Sequence, residues 1–277
     1  MILYPHGVPE SPLTAPRHQY LVVTVFGLYR DLRGAIPIAV LIRMLGDLGV
    51  EPASVRASVS RLKKREILVS AALDGAAAYA LAPHLGEVFD EGDRRIFMRH
   101  SEASEEWLLA TFTVPESQRN LRHRIRMVLR RWGFGAVAPG LWIAPAGVAA
   151  AVGARLAREQ LDCYVEFFTA RYRDAQGLKA KVARWWDLDS LDQQYSSFVQ
   201  RHASQIAGPE LPPAPAFARY VPLVTEWRQL PYLDPGLPNE LLPSNWPGGR
   251  AESLFMQLHQ RWSEPSREYA RHLLAAR

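Results

Sequence analysis

The sequence predicts an α+β protein of two to three domains, and three observations carry that prediction. Apolar residues recur at helical spacing through residues 17–65 and again toward the C-terminus, while short β-prone runs fall at 67–81 and 108–172. All eight tryptophans lie at position 107 or later, which marks off a Trp-free N-terminal domain ending near residue 85–100. Ten of the twenty-one prolines crowd into residues 208–247, so any helix there is expected to be short or proline-capped.

The elements read as follows. Residues 1–16 hold Pro5, Pro9, Pro12 and Pro16 and predict an extended, mobile arm. A first helix runs from Arg17 to about Leu32, with Leu21, Val25, Leu28 and Leu32 at helical spacing. A second starts at Pro37, favourable in a first turn, and ends near Gly49. A third runs from Pro52 to about Arg65. Ile67–Leu73 and Ala77–Leu81 are β-prone, and Asp74-Gly75 between them signals a hairpin. Three helices followed by a two-stranded wing form the pattern of a winged helix-turn-helix. We place this domain at 17–85 and a connecting helix at 86–104.

The middle of the chain, 105–180, alternates strand and helix. Leu108–Val114 is a strand ended by Pro115, and Glu116–Trp132 a strongly periodic helix. Ala136–Ala144 is a broken strand or hairpin, Ala146–Glu159 an alanine-rich helix, and Leu161–Tyr172 a last strand that carries Cys163 into the core. The β-α-β-α-β order suits a ferredoxin-like α/β sandwich that dimerises or links. Residues 181–277 predict an α-helical domain for effector binding or dimerisation, with helices at Leu188–Ala203, Ala251–Trp262 and Pro265–Leu274.

Composition narrows the function. At 48% hydrophobic and 22% charged residues, the chain is not disordered, collagenous or a coiled coil. The single cysteine allows no intramolecular disulfide and suits a reducing compartment. No basic and apolar signal opens the chain, so a cytoplasmic location is expected. Trp132–Ala154 carries no charge, but its five glycines and Pro139 and Pro145 make it a poor spanning helix. Net charge is +5, divided as +7 before Trp186 and −2 from there on. A basic N-terminal field favours nucleic acid, acidic lipid or phosphorylated ligands.

The third helix carries the sharpest chemistry. Val55, Val59 and Leu62 define a buried face, so Ser54, Arg56, Ala57, Ser60, Arg61 and Lys64 fall on the outer side. Small residues between Arg and Lys let a helix lie close in the major groove, where Arg pairs bidentately with guanine. Lys63 and Arg65 flank that face and suit phosphates. Tyr79, in the second wing strand, suits either the DNA backbone or wing packing. The helix at 116–132 adds Arg119, Arg122, Arg124, Arg126, Arg130 and Arg131 beside an apolar stripe, a pattern that fits ligand phosphates, DNA backbone or a solvated face.

Catalytic patterns are scarce. No P-loop and no nucleophile elbow occur, and the eight histidines lack metal spacing, so no enzyme, cofactor or metal is expected. Gly133-Phe134-Gly135 reads as a helix end rather than a dinucleotide fingerprint, because a helix precedes it. Asp187, Asp189 and Asp192 read as helix-capping charge.

With these motifs in view, the chain resembles the PaaX family of bacterial phenylacetic-acid-degradation repressors, from about residue 17 to 274. The resemblance is carried by Ser54-Val55-Arg56-Ala57-Ser58-Val59-Ser60-Arg61-Leu62. It continues in Trp107, Phe112-Thr113-Val114-Pro115-Glu116, Arg119, Arg122, Arg126, Gly133-Phe134-Gly135 and Gly140-Leu141-Trp142-Ile143-Ala144-Pro145. Asp234-Pro235-Gly236-Leu237-Pro238, Leu241-Leu242-Pro243 and Trp246-Pro247-Gly248 complete it. The resemblance implies a homodimeric repressor on a palindromic double-stranded operator, released by an aromatic acyl-CoA such as phenylacetyl-CoA. Arg122 and Arg126 then suit the anionic end of that effector, and Trp107, Trp142 and Trp246 its apolar end. One departure is visible: Glu66-Ile67 stands where the family often has Gly-Trp.

The middle domain is also similar to the small CRISPR-associated ferredoxin-like nuclease, which makes a nucleic-acid-processing protein the alternative. That enzyme needs an acidic residue at the end of its first strand. Here the strand ends Thr113-Val114-Pro115 and the first carboxylate, Glu116, opens the helix, so no nuclease activity is expected. A membrane-surface or protein-interaction module using the Arg-rich helix is the third reading.

Overall fold

The computed structural model describes residues 17–97, 106–173 and 177–276. The elements in chain order are α1 (Arg17–Arg33), β1 (Ile36–Pro37), α2 (Ile38–Gly46), α3 (Pro52–Lys64), β2 (Leu68–Leu73), β3 (Ala76–Leu81) and α4 (Gly86–Phe97). There follow β4 (Glu106–Phe112), α5 (Arg119–Arg131), β5 (Gly135–Ala138), β6 (Leu141–Pro145), α6 (Ala149–Arg158) and β7 (Val165–Arg171). The remainder is α7 (Leu178–Trp185), α8 (Leu188–His202), α9 (Pro213–Trp227), α10 (Leu230–Leu233) and α11 (Gly248–Ala275). The protein is α+β, with two small antiparallel sheets. The chain divides into two compact units: one of residues 1–98, 201–228 and 252–277, the other of 99–200 and 229–251. The expected arm at 1–16 lies outside the described residues, as does the end of the expected connecting helix beyond Phe97.

In the first unit, α1 lies at the centre of the core. Leu21 and Val25 are buried, and so are Val22, Val23, Phe26 and Tyr29 on its other sides. A helix apolar nearly all round must be covered nearly all round. Phe217 and Val221 of α9 and Ala270, Leu273 and Leu274 of α11 complete that cover, in one cluster with Leu41, Met44, Val55, Val59 and Leu62. Two buried polar contacts lie within this core. Thr225 donates to the Thr24 hydroxyl at 2.8 Å, which donates to the Tyr20 carbonyl at 2.9 Å. The Tyr29 and Ser266 hydroxyls meet at 2.5 Å.

The hairpin β2–β3 closes through Asp74 and Gly75, both at positive φ (50° and 80°), the turn whose twist matches paired strands. The two expected strands are present, and a third that the sequence did not suggest lies beside them. Ile36 and Pro37 pair with Tyr79 and Ala78, which makes a three-stranded sheet and moves the start of the second helix to Ile38. A two-residue strand carries too little periodicity to be read locally.

The second unit holds a four-stranded sheet in the order β5-β6-β4-β7. The expected broken strand is the hairpin β5–β6, so the strand and helix order is β-α-β-β-α-β. One face carries Leu108, Ala110, Trp142 and Ala144 against α5 and α6, with Ile125, Leu129, Val152 and Leu156. The other carries Trp107 and Ile143 against Leu178 and Val182 of α7, Leu188, Leu237 and Leu242.

Two expectations need correction, those for Cys163 and for the C-terminal helices, and two helices add detail. Cys163 is exposed in a 3-10 turn (Asp162–Tyr164) before β7, because the chain folds back after α6 before it can pair. Helix α7 was not anticipated, although Leu178, Val182 and Trp185 have helical spacing. Helix α9 starts at Pro213, the proline-capped alternative of the sequence reading, and runs 15 residues through Pro222. The two C-terminal helices are one, α11, 28 residues long, with Pro265 inside. An interior proline removes one backbone bond, and burial of the flanking turns compensates.

Candidate nucleic-acid interface

The site is built on α3. Val55 and Leu62 are fully buried and Val59 nearly so, each worth roughly 1.5–3 kcal/mol of burial. Ser58 is buried among them. With that face fixed in the core, Arg56, Ala57, Ser60, Arg61, Lys63 and Lys64 are exposed and Ser54 and Arg65 half-buried. The face contains no carboxylate, since Glu51 precedes the helix and Glu66 follows it. Glu66 sits at φ 55°, and its neighbour's amide, Ile67 N–H, reaches back to the Leu62 carbonyl at 2.9 Å, ending the helix sharply.

Tyr79 is half-buried against the core, with the Lys63 ammonium 5.5 Å from its ring centroid. The hairpin carries no Lys or Arg from Leu68 to Leu81. Its tip carboxylate, Asp74, is held by Arg33 of α1 at 2.8 Å. Positive charge on this surface is therefore concentrated on α3. Arg33 is a positioning residue the sequence reading missed, and only the fold brings it to the tip.

The Arg-rich helix α5 presents less free charge than its sequence suggests. Arg122 donates to the Val114 carbonyl at 2.9 Å and pairs with Glu116 at 2.8 Å. Arg124 reaches Glu159 at 3.4 Å. Arg130 lies over the Trp142 ring at 5.7 Å. Arg131 turns inward over Tyr232, and burial lowers its pKa to about 10. Arg119 and Arg126 remain exposed, without an ion-pair partner among the described residues.

The five residues suggested for an effector fall on two sides of the four-stranded sheet, with Trp107 and Trp246 in one apolar cluster and Trp142 in another. Trp107 faces one side of the four-stranded sheet and packs at 6.3 Å from Trp186. Trp142 faces the opposite side, with α5 and hence Arg122 and Arg126. Trp246 packs edge-on to Tyr195 at 6.0 Å. Over the Trp107 face lies a cleft of about 470 Å³, lined also by Leu109, Ile143, Tyr172, Lys181, Arg184 and Trp185. The residues from α7 were missed with their helix.

The readings of the remaining motifs have simple geometry. Gly133 ends α5 at φ 78°, and Phe134 N–H reaches the Leu129 carbonyl at 3.1 Å. Asp187 accepts from the Ser190 amide at 3.1 Å, capping α8. Among the described residues no three His, Cys, Asp or Glu side chains are grouped to hold a metal, and no helix is long and apolar enough to cross a membrane.

Comparison with known proteins covers most of the chain. Residues 17–85 match the family model for PaaX-like protein, 100–182 that for the PaaX protein central Cas2-like domain, and 186–272 that for the PaaX-like protein C-terminal domain. The chain is 27% identical to the transcriptional repressor PaaX of Escherichia coli strain K12 over 266 residues, 92% of this chain and 83% of that protein. A solved structure of an uncharacterized protein, Rv0674, from Mycobacterium tuberculosis shares the fold with a TM-score of 0.56 at 20% identity, covering 90% of this chain and 97% of the other. Three successive matches spanning residues 17–272 place the chain in the PaaX family.

Proposed function

We propose that the protein is a DNA-binding transcriptional repressor of a catabolic operon, not an enzyme. The observation that carries this reading is the outer face of α3, where Arg56, Ala57, Ser60 and Arg61 are exposed opposite the buried Val55, Val59 and Leu62. In this reading residues 17–85 act as a winged helix-turn-helix, with α3 in the major groove and Arg56 and Arg61 on base edges. Ser54, Lys63, Lys64 and Arg65 meet phosphates. The hairpin β2–β3 is the wing, and its lack of basic residues leaves affinity to α3. Residues 105–180 act as a ferredoxin-like linking domain, and two copies bind a palindromic operator.

The relative named a transcriptional repressor supports this role. Release by an aromatic acyl-CoA of the phenylacetyl-CoA class is part of the same proposal and rests on the family resemblance. The test is fluorescence-anisotropy binding of the full chain to DNA upstream of its own operon. It is titrated with phenylacetyl-CoA at fixed salt, with phenylacetate as control. Specific binding released by the thioester is expected. Equal affinity for operator and scrambled DNA would overturn the proposal.

A further inference from the structure

One face of the four-stranded sheet is covered by α7 over only part of its width. Trp107 and Ile143 are buried there, whereas Leu109, one residue pair further along, is half-buried and its neighbour across β7, Phe168, is 55% exposed. The space above is the cleft of about 470 Å³, within the ~300–1,000 Å³ range of small-molecule sites. Trp107, Leu109, Val137, Leu141, Ile143 and Ala170 form its apolar floor. Tyr172 and Trp185, edge-on to each other at 6.3 Å, form an aromatic wall.

Charge around this floor is one-sided. Arg171, Arg173, Lys181 and Arg184 all line the cleft, and among the described residues no carboxylate does. Arg171 is compensated by Glu106 at 3.3 Å. Lys181 meets the Tyr172 ring and hydroxyl, at 5.1 Å and 2.5 Å, and Arg184 is exposed; neither has a carboxylate within ion-pair distance among the described residues. An apolar floor beside uncompensated cations suits a molecule with an apolar body and an anionic end.

We propose that this cleft binds an amphiphilic anion, with an aryl or alkyl body on Trp107, Leu109 and Ile143 and its anionic end at Lys181 and Arg184. As the place where an effector acts, the cleft rests on the repressor reading; as a binding site it does not. An arylacetate and its CoA thioester share the required chemistry.

The test is isothermal titration calorimetry of the full chain, without DNA, using phenylacetate, phenylacetyl-CoA and coenzyme A as probes. Saturable binding of at least one aryl probe is expected, at least tenfold tighter than coenzyme A. Which aryl probe saturates identifies the source of the anion. Arg184→Glu is expected to weaken that binding at least tenfold, and Ala170→Trp, which fills the floor, likewise. Arg219→Glu, the same charge change on α9, is expected to leave it within twofold. No saturable binding by either aryl probe overturns the proposal. So does coenzyme A binding as tightly as its thioester, or affinity that survives Arg184→Glu but is lost in Arg126→Glu. Operator anisotropy on the same preparation separates the two ideas. Operator binding with a silent cleft refutes the cleft alone, and a saturable cleft without operator binding refutes only the repressor reading.

Discussion

The Lys63 ammonium lies 5.5 Å from the centroid of the Tyr79 ring, so the last turn of α3 is latched to β3 by a cation–π contact. Tyr79→Phe keeps the ring and is expected to leave stability within about 0.5 kcal/mol of wild type. Tyr79→Leu removes the aromatic face and is expected to lower both stability and DNA affinity. Urea melts and anisotropy titrations check both.

The outer face of α3 predicts two classes of DNA-binding variant. Arg56→Ala or Arg61→Ala is expected to cost ~1–3 kcal/mol on the operator and to relax specificity at one base position. Lys63→Ala is expected to weaken all sequences alike and reduce the salt slope by about one. Affinities for operator and scrambled DNA across a salt series separate the classes. Unchanged operator affinity in all three variants would remove α3 as the reading head.

Glu66 ends α3 with φ 55°, a conformation that costs a side-chain-bearing residue what it does not cost glycine. Glu66→Gly is therefore expected to stabilise the protein by about 0.5–1 kcal/mol, even though glycine loosens the unfolded chain. A rise in the urea midpoint at constant slope is the readout.

Tyr29 and Ser266 share a buried hydrogen bond. Ser266→Ala strands the phenol and is expected to cost ~1–3 kcal/mol, while Tyr29→Phe/Ser266→Ala removes both partners and recovers much of that loss. Burial also pushes the Tyr29 phenol well above its ordinary value. The native state therefore keeps a proton that the unfolded chain releases near pH ~10. This contribution to stability is intact below about pH 10 and declines as the pH rises toward the folded value. Wild type should lose stability more steeply than Tyr29→Phe above that point, as alkaline melting curves would report.

Gly135 lies where a Cβ would come within 2.7 Å of Trp186 and 2.9 Å of the Trp185 carbonyl oxygen. Gly135→Ala forces backbone to move and is expected to cost ~1–3 kcal/mol. Gly153, inside α6 with open space around it, offers the contrast. Gly153→Ala is expected to gain about 0.5–1 kcal/mol from helix propensity alone. Thermal melts of the pair test both signs.

The sequence by itself determined what local periodicity and turn chemistry encode. Val55, Val59 and Leu62 fixed the buried side of α3 and therefore its basic outer face. Asp74-Gly75 fixed the hairpin, and Gly133 the end of α5. Tertiary structure decided what depends on neighbours distant in the chain. It buried α1 on nearly all sides, because α9 and α11, with residues 213–227 and 252–275, pack in the same unit. It carried α9 and α11 straight through Pro222 and Pro265, where packing outweighs a lost backbone bond. It bound Arg122, Arg124 and Arg131 to partners that their spacing could not reveal. It also set Trp107 and Trp142 on opposite faces of one sheet, since residues in different strands share a face only through their pairing register. Helical spacing specifies which side of an element is apolar; only the packed chain specifies what covers that side, and which charges are left to meet a ligand.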